Sequence, residues 1–225
     1  MAVPRPPRLD EALAALHQQA RPEALSAMAR FGLTGEGRLG LAVPTLRALA
    51  REFRRDHALA LALWDTGIPD AQILAGMVAE PAKLTVAQMD HWVAGMRAWD
   101  VCDQACLNAF VKSPLAWDAI PRWAVREAEF EKRAGFALLA VAAVHQKQRP
   151  DADFLARLPL IAAAADDERN FVKKAVNWAL RQIGKRSADL REHALTLAER
   201  LCRREEKSAR WIGSDARREL QRILS

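Results

Sequence analysis

Apolar residues recur at three- and four-residue intervals from one end of this chain to the other, and β-branched residues never fall into an alternating run. A period near 3.6 buries one face of a helix, whereas a half-buried strand needs a period of two. The segments LDEALAALHQQA, PTLRALAREFRRD and VAQMDHWVAGMRA all show the helical period. Alanine, leucine, arginine and glutamate, good helix formers, dominate the composition. Pro22, Pro44, Pro69, Pro114 and Pro150 stand at or near expected helix starts, where a missing N–H costs little. The pattern predicts an all-α chain of about a dozen helices, short loops and no strand.

Several of these helices resemble one another. DAQILAGMVAE, EKRAGFALLAVAA, NFVKKAVNWALRQIG and SARWIGSDARREL each set a polar or basic residue before an apolar helix rich in small residues. The last three start roughly 35–40 residues apart, the range of two-helix repeats. Such repeats stack into a HEAT-like helical-repeat solenoid, a curved body with a concave face. The expectation is one domain over residues 1–225, with the proline-rich, basic segment at 1–8 frayed.

Composition narrows the function. No apolar run approaches the ~20 residues of a membrane span, and the start lacks a signal-peptide pattern. A soluble, cytoplasmic protein is therefore expected. Cys102, Cys106 and Cys202 are too few for a disulfide framework, and the first two have the spacing of small buried thiols on one helix face. The five histidines form no ligand-spaced set with each other or with the cysteines, so neither a metal nor another cofactor is expected. A formal charge of +6 favours a polyanionic partner, and placement has to decide whether it has one.

Near 168–185, Lys174, Trp178, Arg181 and Lys185 follow i, i+4, i+7, i+11, one stripe with a tryptophan inside it. Val172, Ala175, Val176, Ala179, Leu180 and Ile183 fall on the side expected to face the core. The stripe reads in two ways: as the solvated side of an amphipathic helix, or as a nucleic-acid surface where cations meet phosphates and an aromatic meets sugar or base. Arg133, in EKRAGFALLA, holds a comparable place one repeat earlier. Arg47, Arg51, Arg54 and Arg55 make a basic face near the start, and Arg203, Arg204, Lys207 and Arg210 cluster near the end.

In RAWDVCDQACLNAF, residues 97–110, Trp99 and Asp103 share a helix face. If Asp100 is the N-cap, Asp103 is a first-turn carboxylate favoured by the helix dipole, and Trp99 is core. Otherwise a carboxylate is held beside an indole for chemistry.

The chain resembles the bacterial DNA alkylation repair proteins of the AlkD type, which are HEAT-like-repeat DNA glycosylases. The resemblance runs in order through LGLAVPTLRALAREF, ALWDTGIPDAQILAGMVAEP, WDVCDQACLNAF, FEKRAGFALLAVAAVH, DERNFVKKAVNWALRQIGKRS and SARWIGSDARREL. The family's site has a tryptophan four residues before a catalytic aspartate, then an arginine, then a second tryptophan on a later helix. The resemblance puts these on Trp99, Asp103, Arg133 and Trp178. Ala98 stands where better-known members carry an aromatic, and Cys102 and Cys106 belong to a variant of the motif.

The resemblance implies a monofunctional glycosylase that cuts the N-glycosidic bond of N3-methyladenine or N7-methylguanine in duplex DNA and leaves an abasic site. Loss of a cationic base builds oxocarbenium character on the sugar, which a fixed carboxylate stabilises. Indole faces attract cations, and Arg133 would hold a phosphate near the lesion. Lys174, Arg181 and Lys185 would contact further phosphates. The implied partner is alkylated duplex DNA, bound by a monomer without metal or membrane. Two rivals share the fold: a non-catalytic relative that binds DNA structure, and a protein-binding helical scaffold.

Overall fold

In the computed structural model, residues 8–223 are described. They contain fourteen α-helices, three short 3-10 turns and no strand, as the helical period predicts. Residues 1–7, most of the segment expected to fray, lie outside the described residues. Arg8, its last residue, is docked: its guanidinium donates to the Glu52 carbonyl and lies 4.7 Å from the Phe53 ring centroid.

The helices group into two compact units, one ending at Leu115 and the other starting at Ala116. The first holds α1 (Leu9–Gln18), α2 (Leu25–Ala29), α3 (Val43–Phe53), α4 (His57–Asp65), α5 (Pro69–Val78), α6 (Val86–Gly95) and α7 (Trp99–Asn108). Here α5 packs between α3 and α7 and against its partner α4. Pro44 and Pro69 fall in first helical turns. Thr85 and Gln88 form a reciprocal capping box at the start of α6. The core centres on Trp64 and Trp92, stacked at 4.4 Å and 4° between planes, with Phe110 against Trp92.

The second unit holds α8 (Ala116–Ala124), α9 (Glu129–His145), α10 (Asp151–Leu155), α11 (Leu158–Ala163), α12 (Asn170–Gly184), α13 (Ala188–Cys202) and α14 (Lys207–Gln221). Two pairs are plain, α8 with α9 and α13 with α14, and α12 packs against both α9 and α14. All six residues expected on the apolar side of α12 are buried. Each of its larger ones, Val172, Val176, Leu180 and Ile183, contributes about 1.5–3 kcal/mol on burial.

Arginines tie successive repeats of this unit together. Arg169, Arg186 and Arg204 donate to the carbonyls of Glu127, Ala143 and Ala162, each about one repeat earlier in the chain. Pairs are held close by glycine. A Cβ at Gly135 would lie 2.6 Å from the Ala124 nitrogen and 2.9 Å from its Cα, so α9 touches α8 backbone to side-chain-free backbone. Alanine normally favours a helix over glycine by about 1 kcal/mol, yet here backbone atoms that cannot move cheaply stand in the way. Gly135→Ala should therefore destabilise the protein by about 1–3 kcal/mol. Urea unfolding followed by circular dichroism checks this, and a gain in stability would mean that α8 and α9 are not in this contact.

Candidate functional site

The described residues place Trp99 and Asp103 on α7, at its first and fifth positions. The N-cap is Ala98, not Asp100, so Asp103 lies beyond the first turn. This corrects one of the two sequence readings: the macrodipole falls off within a turn and does not account for an acid there. Val101, Cys102, Ala105 and Cys106 form the buried side of α7, the cysteines as the small core thiols their spacing suggested. Gly76 of α5 lets the two helices approach at Ala105. Trp99 and Asp103, one turn apart, are half-buried. Trp99 is thus not a core residue like Trp64, Trp92 and Trp123.

Asp100 has a different task. Its carboxylate accepts two hydrogen bonds from the Arg38 guanidinium, at 2.7 and 2.9 Å, and both side chains are largely buried. Arg38 belongs to the 30–42 connection, where Gly32, Gly35, Gly37 and Gly40 have positive φ. Buried Asp70, at the start of α5, accepts from the backbone N–H groups of Leu39 and Leu41 in the same connection. The Trp99 indole N–H closes its other end by donating to the Phe31 carbonyl at 2.9 Å. Phe31 itself is 73% exposed beside the Trp99 anchor, a position the sequence reading missed. Its glycine-rich surroundings were the available signal.

On the second unit, Arg133 and Lys174 take the fifth positions of α9 and α12. Arg133, which the resemblance places near a phosphate, is largely buried. It is 5% exposed, and Nη1 donates to the Phe171 carbonyl at 2.7 Å, which joins α9 to α12. Lys174 is exposed and Trp178 half-buried on α12, as the stripe requires. The far half of the stripe is partly neutralised. Arg181 and Lys185 both pair with Glu219 of α14, and Arg181 also reaches Asp215 at 3.9 Å. Burial raises the pKa of Glu219, but the hydrogen bonds from Lys185 and Arg181 outweigh it and hold the carboxyl below its ordinary 4.5. Among the described residues no three or more His, Cys, Asp or Glu side chains are grouped to hold a metal, and no helix is long and apolar enough to cross a membrane.

The whole sequence from residue 12 to residue 220 matches the family described as DNA alkylation repair enzyme. The chain belongs to that family. Among the solved structures, this DNA alkylation repair family member matches one described as a new family of proteins related to the HEAT-like repeat DNA glycosylases with affinity for branched DNA structures. The match has a TM-score of 0.80 at 19% identity, and covers 96% of this chain and 94% of the other. It establishes the all-α, HEAT-like-repeat fold that the sequence led one to expect. A comparison with curated proteins finds no match.

Two outcomes follow for this family member. Arg38→Ala leaves the largely buried Asp100 carboxylate without its partner and should cost about 3–5 kcal/mol, read by urea unfolding. Removing both partners should cost less than the sum of the single changes; strict additivity would show that the pair is not coupled. For Glu219, the folded state binds fewer protons than the unfolded state near pH 4.5. Its contribution to stability is therefore present above that pH and lost as pH falls through the depressed folded value. Glu219→Gln should flatten the acid limb of the stability profile measured by thermal unfolding against pH. An unchanged limb would mean that the α12–α14 clamp does not form in solution.

Proposed function

We propose that this chain is a monofunctional DNA glycosylase that hydrolyses the N-glycosidic bond of N-alkylated purines in duplex DNA. The observation that carries this reading is the pairing of Trp99 and Asp103 on one face of α7, at a place where helix capping does not explain the acid. A carboxylate fixed near the anomeric carbon stabilises the developing oxocarbenium ion and orients or deprotonates a water. The Trp99 face offers negative quadrupole potential to a cationic sugar or base.

On the second unit, Trp178 supplies a further aromatic surface and Lys174 an exposed cation for phosphate. Arg133 acts as a positioning residue that fixes α12 through the Phe171 carbonyl. Arg181 and Lys185 add attraction for DNA only in so far as Glu219 leaves their charge uncancelled. No lysine or N-terminal amine is needed as nucleophile, so the product is an abasic site and free base.

A second reading is favoured by the description of the structural neighbour, whose affinity is for branched DNA structures. On that reading this chain recognises DNA shape and does not release base.

Single-turnover release of methylpurine from methylated duplex, at saturating protein, separates the two. Asp103→Asn should lower release by roughly 10²–10³-fold while leaving the circular dichroism spectrum and duplex affinity nearly unchanged. Trp178→Ala should cost less, since a cation–π contact is worth about 0.5–2 kcal/mol. If Asp103→Asn releases base as fast as wild type, Asp103 is not the catalytic group. If wild type releases none from any methylated duplex, the shape-binding reading replaces the enzymatic one.

A further inference from the structure

Trp211 is an indole that the proposed base-release chemistry does not use. It occupies the fifth position of α14, the register that holds Arg133 on α9 and Lys174 on α12. It is 41% exposed, whereas Ser208, Ala209, Ile212 and Gly213 around it on the helix are buried. Lys173 of α12 places its ammonium 5.4 Å from the ring centroid, so one side of the indole is covered by a cation. Lys207 lies one turn before it and Arg210 directly before it, both exposed. Arg210 donates to the carbonyls of Arg204 and Glu205, which orients the guanidinium without cancelling its charge. The neighbouring acid, Glu206, is held by two nitrogens of Arg204. Further along α14, a shallow concavity is lined by Ser214, Arg217, Arg218, Gln221 and Arg222.

The electrostatics of the two helices differ in a way that matters here. Arg181 and Lys185 share the carboxylate of Glu219, whereas among the described residues Lys173, Lys207 and Arg210 form no ion pair with a carboxylate, and Arg210 acts on Glu206 only through space. Lys173 lies over the exposed Trp211 ring, and Lys207 and Arg210 are exposed within one turn of it. An aromatic plane among cations is the arrangement that binds single-stranded nucleic acid, because every base has a stacking face and every linkage a phosphate. Within an intact duplex those faces are occupied by neighbouring base pairs. Face-on contact therefore selects an unpaired base, and the cations select the strand that carries it.

We propose that the Trp211 patch is a second DNA-binding site, which takes an unpaired base on the indole and the adjoining phosphates on Lys173, Lys207 and Arg210. The proposal rests on the DNA-binding reading above and extends it from duplex to a single-stranded segment next to duplex. It does not depend on Asp103 chemistry.

The test uses the full chain and fluorescence anisotropy with two labelled probes, a blunt duplex and the same duplex carrying a single-stranded tail. Wild type should prefer the tailed probe. Trp211→Ala should lose roughly tenfold on the tailed probe, the scale of one base–aromatic stack, with little change on the blunt one. Trp211→Phe, which keeps an aromatic face, should retain most of the preference. Unaltered affinity of Trp211→Ala for the tailed probe overturns the site. Equal losses on both probes overturn the unpaired-base assignment, because Trp211 then touches only duplex. If wild type binds neither probe in low salt, the DNA-binding reading falls and the patch falls with it.

Discussion

The close approach of paired helices is the constraint on which the second unit depends. Gly135 brings α9 onto the backbone of α8, and Gly213 does the same for α14 against α13, where a Cβ would meet the Ala198 carbonyl and the Cys202 nitrogen. Contacts this tight leave no room for a helix to rotate or slide. Register is fixed as a result, and with it the identity of the residues that occupy equivalent positions in successive repeats. Arg133, Lys174 and Trp211 share one such position, so each repeat dresses one scaffold point with a different chemistry: a buried guanidinium, an exposed ammonium, an exposed indole.

Charge is spent in two ways in this molecule. Arg38, Arg133, Arg169, Arg186 and Arg204 are structural: their guanidinium groups answer carbonyls and carboxylates from distant parts of the chain. Such planar, multi-donor groups can satisfy two or three acceptors at once, which a lysine cannot do. Exposed cations such as Arg47, Arg51, Arg54 and Arg55 on the first unit and Lys174, Lys207 and Arg210 on the second are left for a polyanion. Pairing does not change the formal charge of +6; it decides where on the surface that charge is left.

Helix content, the apolar side of α12 and the shared face of Trp99 and Asp103 were legible in the sequence because each depends on spacing within one helix. What escaped depends on partners far away in the chain. Asp100 looked like an N-cap because a helix start was expected beside it; its true partner, Arg38, lies 62 residues earlier. Arg133 looked like a surface charge, although it sits among alanine, glycine and phenylalanine in the apolar run of α9, a signal that it belongs to the buried side. The stripe on α12 was correctly drawn as a line of residues, but Asp215 and Glu219, four apart on α14, were there to cancel half of it.

The hydrogen bond from Trp99 to the Phe31 carbonyl has a consequence for what α7 is able to recognise. An indole has one donor and no acceptor, and here the donor is taken by the protein. Trp99 keeps only its π surface and its ring edges for anything that comes beside it. It is blind to the pattern of donors and acceptors by which one base differs from another, and responsive to flatness and positive charge. On the glycosylase reading proposed above, such a surface would favour a cationic adduct over a neutral nucleotide without reading which letter bears it.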